Sequence, residues 1–360
     1  MFQKFTQDEH IYRYPEVYIG ESQPITITEW IYENNDNTIS TFKSKSQFCF
    51  KKQNCVMNYN MMRNQIEYIP ACKQIFMEIL KNACEYSNKS DKYKPVEIIM
   101  NDDIISIINY GSPIPIQLGK NEKVYIPELI LGTLRTSSNY NYDDYHHNGM
   151  GAKVVNIFSK HFQVYINDAN NHLTYVQDWY NNMKERTDPI ITDYNGEISS
   201  VKITWCLDFE RFHFNKYSDD YYKLFKRLSC DASFIYKVPI NFNNHLIDYR
   251  NINDYGKLFI NEMTGDESKT LLLTGDEYEL LFIKTIDEPF NISFANGQYT
   301  RNGGVHVDSA YNALKGVIGD EAELYSLILN LTTTQGVTFG NQNCDTLVAP
   351  IPQIMISESV

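Results

Sequence analysis

The sequence predicts an α/β chain, an α+β two-layer sandwich with helices laid on one face of mixed sheet. Three observations predict it. An amphipathic helix pattern, a β-branched hairpin and a glycine-led helix follow one another between Pro70 and Phe158, and strand and helix patterns alternate again as far as Thr332. At 360 residues the chain exceeds one average domain and can bury two cores. The pattern also resets near Pro189, Asp193, Asn195 and Gly196, which divides the chain into a first domain, 1–195, and a smaller α/β second domain, 196–360.

In chain order, the stretch to about Asn54 reads as loop around one aromatic cluster, Trp30-Ile31-Tyr32, and Glu33 to Lys52 reads as an exposed loop or hairpin. A helix begins with Pro70 in its first turn and carries Ile75, Phe76, Ile79, Leu80 and Ala83 on one face. Val96–Met100 and Ile104–Ile108 form a hairpin around Asn101-Asp102-Asp103. Pro127 to Leu134 is helical, Thr136 to His147 is a polar loop, and Asn148-Gly149-Met150-Gly151-Ala152-Lys153 opens a helix through Phe158. Strands Phe162–Ile166 and Leu173–Trp179 follow around a turn at Asp168 to Asn171. The second half reads strand (Ser200–Leu207), helix (Tyr221–Ser229) and strand (Ser233–Val238). It continues with strands near Tyr278–Thr285 and Asn291–Phe294, a helix from His306 to Ile318, and a last strand from Tyr325 to Thr332.

Composition excludes several classes. The net charge of -13 argues against a whole surface that grips phosphate backbone, so any nucleic-acid contact needs a local patch or another chain. Seven Cys with no CxxC argue against a disulfide scaffold or zinc site and for a reducing compartment, cytoplasmic or nuclear in type. The polar N-terminus is not a signal peptide, and the longest apolar runs are too short to cross a membrane. The bias to Asn, Tyr and Ile suits an AT-rich coding sequence and says nothing direct about function.

Three constellations carry chemistry, and each reads two ways. Glu78 and Asn82 stand on adjacent turns of the first strong helix, where a carboxylate can activate water and an amide oxygen can bind Mg²⁺; the same pair also suits a solvated polar face. Asn109 and Gly111 follow a buried strand, as a purine contact or as a simple turn. The Asn148 to Lys153 segment can wrap an anion at a helix N-terminus, though a lone G-x-G is weak and matches neither a Walker loop nor a Rossmann fingerprint.

Taken in order, these three words resemble the Bergerat (GHKL) ATP fold. The chain resembles more closely the N-terminal ATPase region of the eukaryotic-type type IIA DNA topoisomerases. The matching words are Gln3-Lys4, Thr6-Gln7, Glu9-His10-Ile11 and Tyr18-Ile19-Gly20 at the start, and Ile75-Phe76, Glu78-Ile79-Leu80 and Asn82-Ala83 in the helix. Lys123 to Ile130, Thr136 to Tyr140, and Asn148 to Lys153 with Asn156 to Ser159 continue the match, and Trp179 with Asn181-Asn182-Met183 closes the first domain. Ile292-Ser293-Phe294, Gly303-Gly304 and His306-Val307-Asp308 resemble the transducer domain.

The resemblance implies an ATP- and Mg²⁺-dependent clamp that dimerises on ATP binding, holds DNA inside, and couples turnover to strand passage. The cleavage region would lie in the same or a separate chain. Glu78 would be the general base and Asn82 the metal ligand; Asn109 would contact adenine, with Thr204 assisting through a water. Ser137, Ser138 and Asn139 would hold ribose and phosphates; Asn148, Gly149, Met150, Gly151, Ala152 and Lys153 would wrap the triphosphate, and Gln342 would approach it from the transducer. Departures from the family pattern are Met77, Tyr86, Tyr110, Pro113 and, where a lysine is expected, Cys344; Phe2 stands where the N-terminal arm carries a Tyr. They leave an alternative, a non-hydrolysing homologue that binds nucleotide or a topoisomerase partner and regulates it.

Overall fold

The computed structural model describes residues 6–34, 59–87, 94–120, 123–133, 151–260, 270–285, 288–341 and 344–356. Helix α1 (Gln7–Arg13) opens on a capping box, in which the Thr6 hydroxyl accepts from the Glu9 N–H and the Glu9 carboxylate accepts from the Thr6 N–H. Strands β1 (Ile25–Asn34) and β2 (Tyr59–Tyr68) then pair antiparallel along their full length. The expected loop before Asn54 is therefore a long strand in part. Its Ile-Thr-Ile-Thr alternation is a strand signal, and its partner lies far along the chain. The loop or hairpin expected at Glu33 to Lys52 falls mostly outside the described residues.

Helix α2 (Pro70–Ser87) follows as expected, and Ile75, Phe76, Ile79, Leu80 and Ala83 are all buried. The hairpin β3 (Val96–Met100) and β4 (Ile104–Tyr110) also follows, with the Asn101 side chain accepting from the Asp103 and Ile104 N–H groups to fold the turn. Next come α3 (Ile126–Gly132), α4 (Gly151–Ile157), β5 (Ser159–Asp168), β6 (Leu173–Tyr180), β7 (Glu185–Arg186), β8 (Ile190–Asp193) and β9 (Ser200–Leu207). Helix α5 (Asp219–Tyr236), β10 (Ile240–Phe242), β11 (His245–Ile247) and α6 (Ile252–Lys257) complete the first unit.

Its nine-stranded sheet runs β11-β10-β3-β4-β9-β5-β6-β7, with β8 also paired to β6. Helices α2, α4 and α5 cover one face, and Phe76 of α2 stacks on Phe225 of α5 with ring centroids 4.1 Å apart. The expected boundary at 195/196 does not hold, because β9 is a central strand of this sheet and β10 joins β3 in parallel. The Pro- and Gly-marked reset is a connection within the sheet. The strand expected at Ser233–Val238 is instead the last part of α5 up to Tyr236, which ends at Lys237 in the left-handed region. Burial of Leu224, Phe225, Leu228 and Ala232 at helical spacing, with Phe234 stacked on Tyr255 at 4.5 Å, overrides the local strand preference.

The second sheet runs β12 (Thr270–Thr274), β13 (Tyr278–Lys284), β16 (Tyr325–Leu331), β14 (Asn291–Ala295) and β15 (Gln298–Tyr299). Alternation along β13 and β16 separates its faces. Leu281, Ile283 and Ile328 join the core of the first unit, while Leu280, Phe282, Leu327 and Leu329 pack beneath α7 (Val305–Ile318). The sequence reading ended its strands at Thr332, but β17 (Thr338–Phe339) and β18 (Leu347–Ala349) pair beyond it.

Gly304 caps α7 at φ 128° and bridges to Leu347; an added Cβ would lie 2.1 Å from the Leu347 carbonyl oxygen. Gly304→Ala is expected to lower stability by about 1–3 kcal/mol through backbone strain alone. Thermal unfolding of the full chain checks this, and an unchanged midpoint contradicts it.

Candidate functional site

The site begins on α2. Its apolar stripe faces the core, which turns Glu78 and Asn82 toward the opposite side, both half-buried. Gln74, one turn earlier, donates from Nε2 to Glu78 Oε1 at 2.7 Å and fixes the carboxylate. The other oxygen faces the start of α4: a Cβ on Gly151 would lie 2.1 Å from Glu78 Oε2. A side chain at 151 would occupy the carboxylate's place, so the glycine is there for close approach. The fold thus brings the helix carboxylate and Gly151 together.

Lys153, in the first turn of α4, is fully buried, and burial pushes its ammonium down to about 8. Asn156 anchors the same helix by donating to the Leu131 carbonyl of α3 at 3.0 Å.

Asn109 is 6% exposed near the end of β4, on the face covered by the helices, and its buried Nδ2 has no hydrogen-bond partner among the described residues. A buried amide donor unpaired among the described residues calls for a partner. Tyr110, the next residue, points to the other face. Its hydroxyl donates to Glu97 Oε1 at 2.7 Å and the Lys94 ammonium sits over its ring, so this departure from the family pattern leaves Asn109 unobstructed.

Thr204 is corrected by the register. Asn109 pairs with Val201, whereas Thr204 pairs with Ser106, and the Ser106 and Thr204 hydroxyls hydrogen-bond at 2.8 Å. Ser106 and Asn109 are an odd number of residues apart, so Thr204 lies on the opposite face of the sheet from the Asn109 amide. Val201 takes the expected place across from Asn109 and is 7% exposed.

The C-terminal segment also reaches α2. Burial pushes the Cys344 thiol up to about 11; Lys73 and Lys81 of α2 pull it down, and Asp345 and Glu78 push it up. Cys344 is thus a neutral thiol within electrostatic reach of the Glu78 helix. Ser137, Ser138, Asn139, Asn148, Gly149, Met150 and Gln342 lie outside the described residues. Sequence reasoning missed Gln74 and Val201. The i, i+4 spacing of Gln74 to Glu78 was a usable signal; Val201 had none, because strand pairing is non-local.

Among the described residues no group of three or more His, Cys, Asp or Glu side chains could hold a metal ion.

No protein-family model matches the chain. The chain is 30% identical over 330 residues to the DNA topoisomerase 2 of Pisum sativum and 30% identical over 326 residues to that of Drosophila melanogaster, in each case over 87% of its own length. It spans 21% of the length of each of these relatives. The fold superimposes on the ATPase region of Saccharomyces cerevisiae topoisomerase II with a TM-score of 0.80 and 27% identity, covering 97% of this chain and 90% of that one. The ATPase and transducer domains of DNA topoisomerase II from Balamuthia mandrillaris give a TM-score of 0.79 at 26% identity, over 97% and 89% of the two chains. The 43K ATPase domain of Thermus thermophilus gyrase B shares the fold alone, with a TM-score of 0.58 at 18% identity over 78% of this chain and 80% of that one. Sequence and fold together place the chain with the ATPase region of the type II DNA topoisomerase family.

Proposed function

We propose that the chain binds and hydrolyses ATP as the N-gate clamp of a type II DNA topoisomerase. The observation that carries this reading is the contact of Gly151 with the Glu78 carboxylate, which sets a base against a phosphate-binding helix start. Glu78 takes the proton of the attacking water as the oxygen–phosphorus bond forms and the bond to the β,γ-bridging oxygen breaks, leaving ADP and phosphate. Gln74 keeps that carboxylate aimed. The Asn109 amide donates to the adenine edge, and Gly151, Ala152 and Lys153 meet the phosphates. Asn82 would hold Mg²⁺, which would supply neutralisation of phosphate charge. By the resemblance, Ser137, Ser138, Asn139, Asn148, Gly149, Met150 and Gln342 complete the pocket.

In the whole enzyme, closure on ATP would form a homodimer around DNA, and a cleavage region would cut and rejoin it. With a net charge of -13, the DNA contact of this chain alone is local, weak and salt-dependent. The neutral thiol at Cys344 favours a second reading, a homologue that binds nucleotide without turning it over.

Calorimetric titration with a non-hydrolysable ATP analogue and Mg²⁺ tests the first reading. Saturable binding is expected. No heat and no thermal stabilisation at millimolar nucleotide would contradict it. The same titration has a proton signature. With its ammonium at about 8, Lys153 is partly neutral at pH 8. A nearby triphosphate favours the charged form and raises that value, so binding at pH 8 should take up a fraction of a proton, and less at pH 7 where the ammonium is already mostly charged. Buffers of different ionisation enthalpy read this directly, and an uptake that grows toward pH 7 contradicts it.

A further inference from the structure

The second sheet is joined to the first unit through a buried ionic group that the proposed chemistry does not use. Its centre is Glu29 of β1, 8% exposed. On one side stands Arg227 of α5, fully buried. Its Nε donates to Asp231 Oδ1 at 2.7 Å, and the Tyr255 hydroxyl donates to the same oxygen at 2.6 Å. Its Nη1 donates to the Trp30 carbonyl at 3.0 Å. On the other side stands Arg301, just past β15, whose Nη2 donates to the Thr28 carbonyl at 3.1 Å.

Each arginine therefore grips the backbone beside Glu29 at hydrogen-bond length, yet neither holds the carboxylate that closely. Arg227 Nη1 is 3.9 Å from Oε1, Arg301 Nε is 3.5 Å from Oε2, and the Tyr299 hydroxyl is 3.5 Å from Oε1. The short contact of Oε1 is with the Trp30 N–H, at 2.9 Å. Arg227 Nη2 and Asp231 Oδ2 are buried and without partners among the described residues. Two cations and two anions balance in charge, but the central carboxylate stands between two guanidinia at more than charge-assisted length. A displacement of about 1 Å closes it on either one.

We propose that Glu29 is a two-position joint, closing on Arg301 when the second sheet sits tight and on Arg227 when that sheet shifts. Arg227 rides on α5, and α5 stacks on α2 through Phe225 and Phe76, so movement at the Glu78 helix reaches the joint along packed side chains. The inference rests on the nucleotide reading only for what drives the exchange.

The experiment has two arms on the full chain. A double-mutant cycle of Glu29→Gln and Arg301→Met, read by denaturant unfolding, should show non-additivity of about fivefold or more in the unfolding constant. Additive effects overturn the contact. Hydrogen exchange at residues 299–303 should change when a non-hydrolysable ATP analogue binds wild type. It should not change in Arg301→Met, a substitution at a half-buried position, at analogue concentrations that calorimetry shows to saturate that variant. An equal exchange response in both proteins overturns the joint. If wild type binds no nucleotide, the functional reading fails and the cycle alone decides whether Glu29 and Arg301 are coupled.

Discussion

Glu78→Gln is expected to bind an ATP analogue as tightly as wild type and to hydrolyse ATP about 10²–10⁴ times more slowly. The amide keeps the size and shape of the carboxylate, and its oxygen can still accept from Gln74 Nε2, so the contact with Gly151 survives. What is lost is the site that receives the proton of the attacking water. Steady-state phosphate release and calorimetry on the same preparations separate the two effects. Equal turnover by wild type and variant would remove Glu78 from the base role. No turnover by either, with binding intact, would favour the non-hydrolysing reading that Cys344 suggests.

Gly151→Ala is the second large effect, and it acts on the same atom from the other side. The new methyl would meet Glu78 Oε2 at 2.1 Å, which is no possible contact. The carboxylate is the end of a flexible side chain, so it will move while the fold stays. Displacing a catalytic group by about 1 Å costs on the order of 10²-fold in rate. The expected result is a turnover loss of that order with an unfolding midpoint close to wild type. A large drop in stability with unchanged turnover per folded molecule would mean that the glycine serves packing rather than the position of the base.

What could be read from the sequence follows the range of the physics involved. Helix α2 was legible because its five core positions repeat at helical spacing within one segment, and the β3–β4 hairpin because its turn chemistry is local. Those two elements place Glu78 and Asn109. Their relation to Gly151 was not legible from spacing and came through the family resemblance, because it depends on how α4 packs on α2. Thr204 failed for the same reason in reverse. Its residue type suited the role, but the register sets Val201 opposite Asn109 and turns Thr204 toward Ser106. The 195/196 boundary failed because punctuation by Pro and Gly marks a turn, whether it separates domains or two strands of one sheet. At Ser233 to Tyr236, β-branched and aromatic residues suggested a strand where burial against Tyr255 decides for helix.

The most direct measurement is a crystal structure of the chain with Mg²⁺ and a non-hydrolysable ATP analogue. The account predicts the adenine edge against the Asn109 amide, the γ-phosphate at the start of α4, and a water between that phosphate and Glu78. Nucleotide bound elsewhere, or bound with Glu78 turned away from the γ-phosphate and no water between them, would contradict it.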